Sequence, residues 1–279
     1  MIGEKYMQIR LIALDLDGTV FNDQKEITPR TVQAIRAALQ KGITVLPATG
    51  RTVTGVPKQF TEIPGVRYAL TSNGASVVDL QTGEKLVSLP FDIEQAERAF
   101  DVLKDYGGML SIFIDGQSYT TSENAANTQD MVPANLREYF RTTRNEVPDM
   151  HRMMEQHPDE IEKFSIMYPT EADRDAAWQA VAKACPRLEI TSSIERNMEL
   201  NAPGVSKGRG LMALAERLGL ARDQVMAVGD SGNDLTMLEA AGLGVAMANA
   251  TREVRHASDV ITADNNHDGV AEAIEKYTL

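Results

Sequence analysis

Disulfide chemistry within the chain is out of reach, because Cys185 is its only cysteine. Such usage fits a reducing compartment. Beside Pro186, with no activating base or metal-site pattern nearby, the thiol reads as a small structural residue rather than a nucleophile. No apolar run approaches the ~20 residues of a membrane span. The stretch from Met1 to Arg10 lacks the apolar centre of a secretory leader, so a cytoplasmic protein is expected, starting at Met1 or Met7. Positive charge is also scarce: 28 Lys and Arg stand against 40 Asp and Glu, a net charge of −12. That balance argues against general nucleic-acid binding, which needs a basic footprint. The acids are spread along the chain, which speaks for solubility. Aromatics make up 5% with one tryptophan, Trp178, read as packing rather than a ligand platform. Neither an internal repeat nor a low-complexity segment is present. What remains is a 279-residue chain, 43% hydrophobic, enough for one large or two ordinary soluble domains.

The first ninety residues alternate strand and helix. Ile9 to Leu14 reads as a buried strand, and Thr28-Pro29 as an N-cap with proline at the first helical position. The helix runs to Lys41 and stops at Gly42. Strands follow at 43–48 and 68–71, then a hairpin pattern pairs 77–80 with 85–88. Strands separated by helices imply right-handed crossovers and a parallel sheet. After Pro90 that rhythm is lost. A helix at 93–106, strands at 109–115, 118–122 and 163–168, a helix at 171–184 and strands at 188–191 and 198–201 form an α+β block. Its polar stretch 123–160 resists assignment. From Val205 the alternation returns, with a helix at 207–218, strands at 224–228 and 244–247, and a terminal helix. The expected class is α/β: a Rossmann-like doubly wound parallel sheet with an inserted α+β cap. The core comprises 1–88 and 197–279, and the cap 89–196.

Chemistry concentrates at strand ends. Asp15-Leu16-Asp17-Gly18-Thr19 follows the first strand, where alternation would point two carboxylates into one small volume. Open α/β sheets bind ligands at that edge. Two such charges repel unless a cation or shared proton relieves them, and hard oxygen ligands suit Mg²⁺. Thr49-Gly50-Arg51, Lys207, and Asp230 with Asn233-Asp234 occupy equivalent strand-end or helix-start positions. Singly, each has a bland reading as a cap or solvated loop. Together they supply what phosphoryl transfer needs: a nucleophile, a proton carrier, metal ligands, and donors for the phosphoryl oxygens.

Five segments carry a family resemblance: Asp15-Leu16-Asp17-Gly18-Thr19, Thr49-Gly50-Arg51, Ser72-Asn73-Gly74-Ala75, Gly204-Val205-Ser206-Lys207-Gly208, and Gly229-Asp230-Ser231-Gly232-Asn233-Asp234. The chain resembles the haloacid dehalogenase superfamily, more narrowly the Cof-type sugar-phosphate phosphatases with a large inserted cap. The resemblance implies Asp15 as nucleophile and Asp17 as general acid and then base. It implies phosphate binding by Thr49, Gly50, Lys207 and Asn233. Mg²⁺ would be held by Asp15, Asp17 through its backbone carbonyl, Asp230 and Asp234, the last in the inner or an outer shell. Arg51, Asn73 and Asn249 are weaker candidates. In the cap, Glu123, Asn124, Asn127, Arg137, Arg141, Arg144, His151 and Arg152 are candidates by polarity alone, and His151 and His157 show no metal-ligand spacing. The implied activity is hydrolysis of small phosphate monoesters, with a phosphomutase or a non-catalytic phosphometabolite-binding protein as alternatives. The implied partner is a small phosphorylated metabolite as substrate; no nucleic-acid or membrane partner is expected from the composition, and the protein is expected to be a monomer or homodimer.

Overall fold

The computed structural model describes residues 8–279; the choice between Met1 and Met7 lies outside them. Strands β1 (Leu11–Leu14), β2 (Thr44–Pro47), β3 (Tyr68–Thr71), β4 (Ser76–Asp79) and β5 (Lys85–Ser88) open the chain. β6 (Met109–Ile114), β7 (Gln117–Thr120), β8 (Arg144–Glu146), β9 (Ile161–Met167), β10 (Glu189–Thr191) and β11 (Asn197–Asn201) follow. β12 (Val225–Gly229), β13 (Leu243–Ala246) and β14 (Val260–Ile261) close it.

The core sheet has the order β14-β13-β12-β1-β2 and is parallel throughout. β1 lies between β12 and β2, and all four of its residues are buried. That explains its unbroken apolar sequence, since strands covered on both faces lose alternation. The helix Pro29–Gln40 packs against Gly269–Thr278, and the helix Lys207–Arg217 against Leu235–Ala240. The first of these starts as its sequence requires. Pro29 sits in its first turn, and the Thr28 hydroxyl accepts the Thr31 N–H at 3.2 Å. β3 joins β2 through a bridge between Ala48 and Leu70, then folds into an antiparallel meander with β4 and β5.

The second sheet has the order β10-β11-β9-β6-β7-β8 and is antiparallel except between β7 and β8. Its own apolar cluster includes Phe91, Phe164, Met198 and Leu200, with Trp178 packed against it and Cys185 inside it. The boundary drawn from sequence falls short here. The strand 198–201, read with the α+β block yet left on the core side of a boundary drawn at 197, pairs antiparallel with β9 inside the second sheet as Asn197–Asn201. Met198 and Leu200 bury themselves in the second cluster while Glu199 turns to the opposite face, toward the core. The unassigned stretch 123–160 resolves into the helices Ser122–Ala126, Thr128–Met131, Arg137–Thr143 and Met150–Gln156 and the strand β8. Among the described residues no helix is long and apolar enough to cross a membrane.

Candidate active site

Loops at the C-terminal ends of β1, β2 and β12 meet the start of the helix Lys207–Arg217. Asp15 continues β1 by donating its N–H to Val228 at 3.0 Å. Its carboxylate Oδ1 accepts from Lys207 Nζ at 2.7 Å, and the same ammonium donates to Asp234 Oδ1 at 2.6 Å. Lys207 is fully buried. Ser206 caps its helix by accepting the Arg209 N–H at 3.2 Å, so the lysine leaves from the first turn directly beneath the strand ends. Close approach of that turn depends on Gly74, whose φ is 92°; a Cβ there would meet the Ser206 carbonyl oxygen at 2.2 Å. Gly18 plays the same part opposite. With φ at 89°, its missing side chain leaves room for Asp230, which a Cβ would approach to 2.6 Å.

Asp15, Asp230 and Asp234 each present a carboxylate oxygen within 4.8 Å of the others. Asp230 accepts the Thr19 hydroxyl at 2.8 Å. Asp234 Oδ2 accepts the N–H groups of Asp230 and Ser231 at 2.9 and 3.0 Å, so both of its oxygens already have donors. Three acids thus cluster beside one lysine, which pairs with two of them. Burial, with Asp234 adding repulsion, pushes the Asp15 carboxyl well above its ordinary value despite Lys207. Burial and Asp234 likewise push Asp230 up to about 7. Burial opposes the charge on Lys207, but Asp15 and Asp234 outweigh it and hold its pKa above the ordinary lysine value. A set of hard oxygens with more negative charge than its lysine can offset fits a divalent cation such as Mg²⁺. Asp15 and Asp230 would be the carboxylates to hold it, while Asp234 lies beside them with both oxygens engaged by Lys207 and two backbone N–H groups.

Asp17 departs from expectation. Side-chain alternation ends with the strand at Leu14, and its carboxylate does not join the other three. Arg51 grips it through Nε at 2.9 Å and Nη2 at 2.8 Å, and Lys25 adds a bond at 3.0 Å. Burial pushes this carboxyl up, but Arg51 and Lys25 outweigh burial and hold it below the usual aspartate value. Of Asp17 only the backbone carbonyl is left for a metal.

The expected phosphate-binding residues line the same cavity. Thr49, Gly50 and Asn233 border a space of about 340 Å³ that Asp15, Asp17 and Asp230 also line, while Lys207 closes it from behind through Asp15. Thr49 is buried, and its hydroxyl accepts the Arg51 N–H at 3.2 Å. Asn233 Nδ2 donates to Asn73 Oδ1 at 3.2 Å, and Asn73 Nδ2 donates to Glu199 Oε2 at 2.9 Å. Glu199 pairs with Lys163 at 2.7 Å, and Lys163 also donates to the Gly50 carbonyl. A buried chain of polar groups therefore ties the Gly50 and Asn233 loops of the first sheet to the second sheet. Asn249 stands aside from the cavity: its Nδ2 donates to the Gly18 carbonyl at 2.8 Å and its Oδ1 accepts the Asn265 N–H at 3.1 Å, bracing two loops.

Sequence reasoning missed Lys25, Tyr139, Lys163 and Glu199. Lys163 and Glu199 carried a signal, since each is a charge inside a fully buried strand, where an unpaired charge is rarely tolerated. Tyr139 and Lys25 carried none. Of the eight polar cap candidates, only Arg144 lines the cavity. Glu123, Asn124, Asn127, Arg137, Arg141, His151 and Arg152 lie elsewhere. His151 approaches Glu97 at 3.9 Å and Glu155 at 3.6 Å on the outer surface.

A sequence profile described as haloacid dehalogenase-like hydrolase matches residues 12–274. The chain is 31% identical over 273 residues to 5-amino-6-(5-phospho-D-ribitylamino)uracil phosphatase YcsE of Bacillus subtilis (strain 168), covering 98% of this chain and 97% of that one. It is 26% identical over 278 residues to pyridoxal phosphate phosphatase YbhA of Escherichia coli (strain K12), covering 98% and 100%. A solved haloacid dehalogenase-like hydrolase from B. subtilis superposes with a TM-score of 0.84 at 28% identity, covering 96% of this chain and 99% of that one.

Proposed function

Because the chain belongs to the haloacid dehalogenase-like hydrolases, we propose that it is a Mg²⁺-dependent phosphatase of small phosphate monoesters, sugar phosphates or similar metabolites of the cytoplasm, working through an aspartyl phosphate on Asp15. One observation carries the reading: the buried Asp15 carboxylate, held by Lys207 at 2.7 Å, opens onto a cavity that Asp17 also lines. Two relatives are named for small phosphate esters, which supports the substrate class.

Asp15 attacks the phosphorus, and the bond to the leaving oxygen breaks. Asp17 gives that oxygen its proton, so the alcohol departs neutral. In the second half-reaction Asp17 takes a proton from water as the water attacks the same phosphorus, and the bond to Asp15 breaks. One group serves both halves because the second reverses the proton movement of the first. Thr49, the Gly50 loop and Asn233 would hold the non-bridging oxygens, and Lys207 would limit the charge accumulating near Asp15. A divalent cation on Asp15, the Asp17 carbonyl and Asp230 would offset the charge of nucleophile and phosphoryl oxygens. The inserted domain covers the site and reduces its access to water. Asp17 as found, ionised beside Arg51, is the base of the second half. In the first half it must carry a proton, so the arriving ester has to loosen the Arg51 contact.

The test is phosphate release from a panel of phosphorylated metabolites with and without Mg²⁺. Release that requires the metal supports the reading. Phosphate passed to a second hydroxyl rather than to water, or binding of every panel member without release, overturns it.

A further inference from the structure

The cavity wall furnished by the inserted domain holds one cation with no acid beside it. Arg144, at the start of β8, is half-buried. Its Nε donates to the Ser111 hydroxyl at 2.8 Å, and its Nη1 reaches the Thr143 hydroxyl at 3.4 Å. Its guanidinium lies 3.4 Å from the Phe140 ring centre and 5.6 Å from that of Tyr139. No acidic side chain pairs with it among the described residues. The other cations of the cavity all have partners: Lys25 and Arg51 share Asp17, and Lys163 has Glu199. Burial pulls the Arg144 pKa down to about 10, with Arg51 adding repulsion; the group is still charged at neutral pH. A desolvated guanidinium with only hydroxyl and ring contacts lacks the anion that would compensate it.

Its position indicates what that anion belongs to. The leaving oxygen must sit beside Asp17. Arg51, which grips Asp17, stacks on Tyr139 at 4.1 Å, and Arg144 approaches the same ring. Asp17, Tyr139 and Arg144 line one cavity, so a leaving group extending from Asp17 toward the inserted domain faces the wall that holds Arg144. We propose that Arg144 is a specificity-determining residue that binds a second anionic group, carboxylate or phosphate, carried by the leaving alcohol of the substrate. This rests on the phosphatase reading and narrows its substrate class to phosphate esters with two anionic ends.

The test compares matched pairs on the Mg²⁺-loaded enzyme: 3-phosphoglycerate against glycerol 3-phosphate for a carboxylate, and fructose 1,6-bisphosphate against fructose 6-phosphate for a second phosphate. The wild type should favour the doubly anionic member of at least one pair in kcat/KM by roughly 10- to 100-fold, the size of a charge-assisted hydrogen bond. Arg144→Met should collapse that ratio, and Arg144→Lys should keep part of it. The pair that responds distinguishes carboxylate from phosphate. A wild type indifferent to the second charge in both pairs overturns the proposal, as does an Arg144→Met variant that keeps the preference. Equilibrium binding of the same pairs to Asp15→Asn, with Arg144 intact or replaced by Met, gives an independent readout. Discrimination there without turnover in the wild type would sink the phosphatase reading and leave the Arg144 subsite standing.

Discussion

Mg²⁺ should compete with protons for the acidic cluster. Before metal binds, burial and Asp234 hold the Asp230 carboxyl at about 7, and Asp15 is raised as well. A metal taking those oxygens must displace whatever protons they hold. With one carboxyl titrating near pH 7, the apparent Kd grows by the factor 1 + 10^(7 − pH): about 1.1 at pH 8 and about 11 at pH 6. Affinity should therefore fall roughly tenfold between those values, about 1.4 kcal/mol, and more steeply if Asp15 is also protonated. The sign is fixed by the direction of the shift. A carboxyl raised by folding keeps its proton in the metal-free native state below about pH 7. Its contribution to metal-free stability consequently grows as pH falls from there toward the ordinary aspartate range near 4. Titration calorimetry with MgCl₂ in two buffers of different ionisation enthalpy measures both the Kd and the protons released. The expected result is close to one proton released per Mg²⁺ at pH 6 and almost none at pH 8 from Asp230. A Kd constant within about twofold across that range, with no proton release, would refute the account of the cluster.

Asp15→Asn and Asp17→Asn should each lower kcat by roughly 10²-fold or more, as loss of a nucleophile or a general acid does; steady-state assays on the best panel substrate check this, and activity within about twofold of wild type would contradict the assigned roles. Arg51→Gln removes the main cation holding Asp17 down, so the alkaline limb of kcat/KM should move to higher pH; an unmoved limb would show that Asp17 is not the acid. Lys207→Met leaves Asp15 and Asp234 without their shared cation at a fully buried position, which should cost roughly 3–5 kcal/mol in denaturant unfolding without metal, with part recovered in Mg²⁺. Gly74→Ala, strained by its backbone and blocked by the Ser206 carbonyl, should lower the unfolding midpoint by several degrees, in line with roughly 1–3 kcal/mol for a strained site.

Much of this was legible in the sequence, because the core is built from local signals. Thr28-Pro29 announces a helix start, and the apolar run through Leu14 announces a buried strand with its chemistry immediately after. A parallel sheet then forces Asp15, Thr49 and Asp230 to one edge, so their spacing in sequence stops mattering. The inserted domain was harder to read. Its polar stretch folds into helices of four to seven residues, too short for a periodic pattern. The boundary at 197 falls one strand early: 198–201 belongs with the α+β block by its rhythm, and its pairing with β9 fixes it there, whereas a buried strand alone looks the same in either sheet. The orientation of Asp17 depends on Arg51, thirty-four positions away, and strand alternation holds no information about it once the strand has ended. The unpartnered state of Arg144 is likewise visible only in three dimensions, since sequence gave eight polar candidates and no means of choosing among them.

The central claim is that Asp15 itself carries the phosphoryl group. Rapid acid quench of the reaction with a radiolabelled phosphate ester, followed by peptide mapping, addresses it directly. The label should appear on the peptide containing Asp15, persist longer in Asp17→Asn, where water is no longer activated, and be absent from Asp15→Asn. Label on a different peptide, or phosphate release from Asp15→Asn at the wild-type rate, would contradict it.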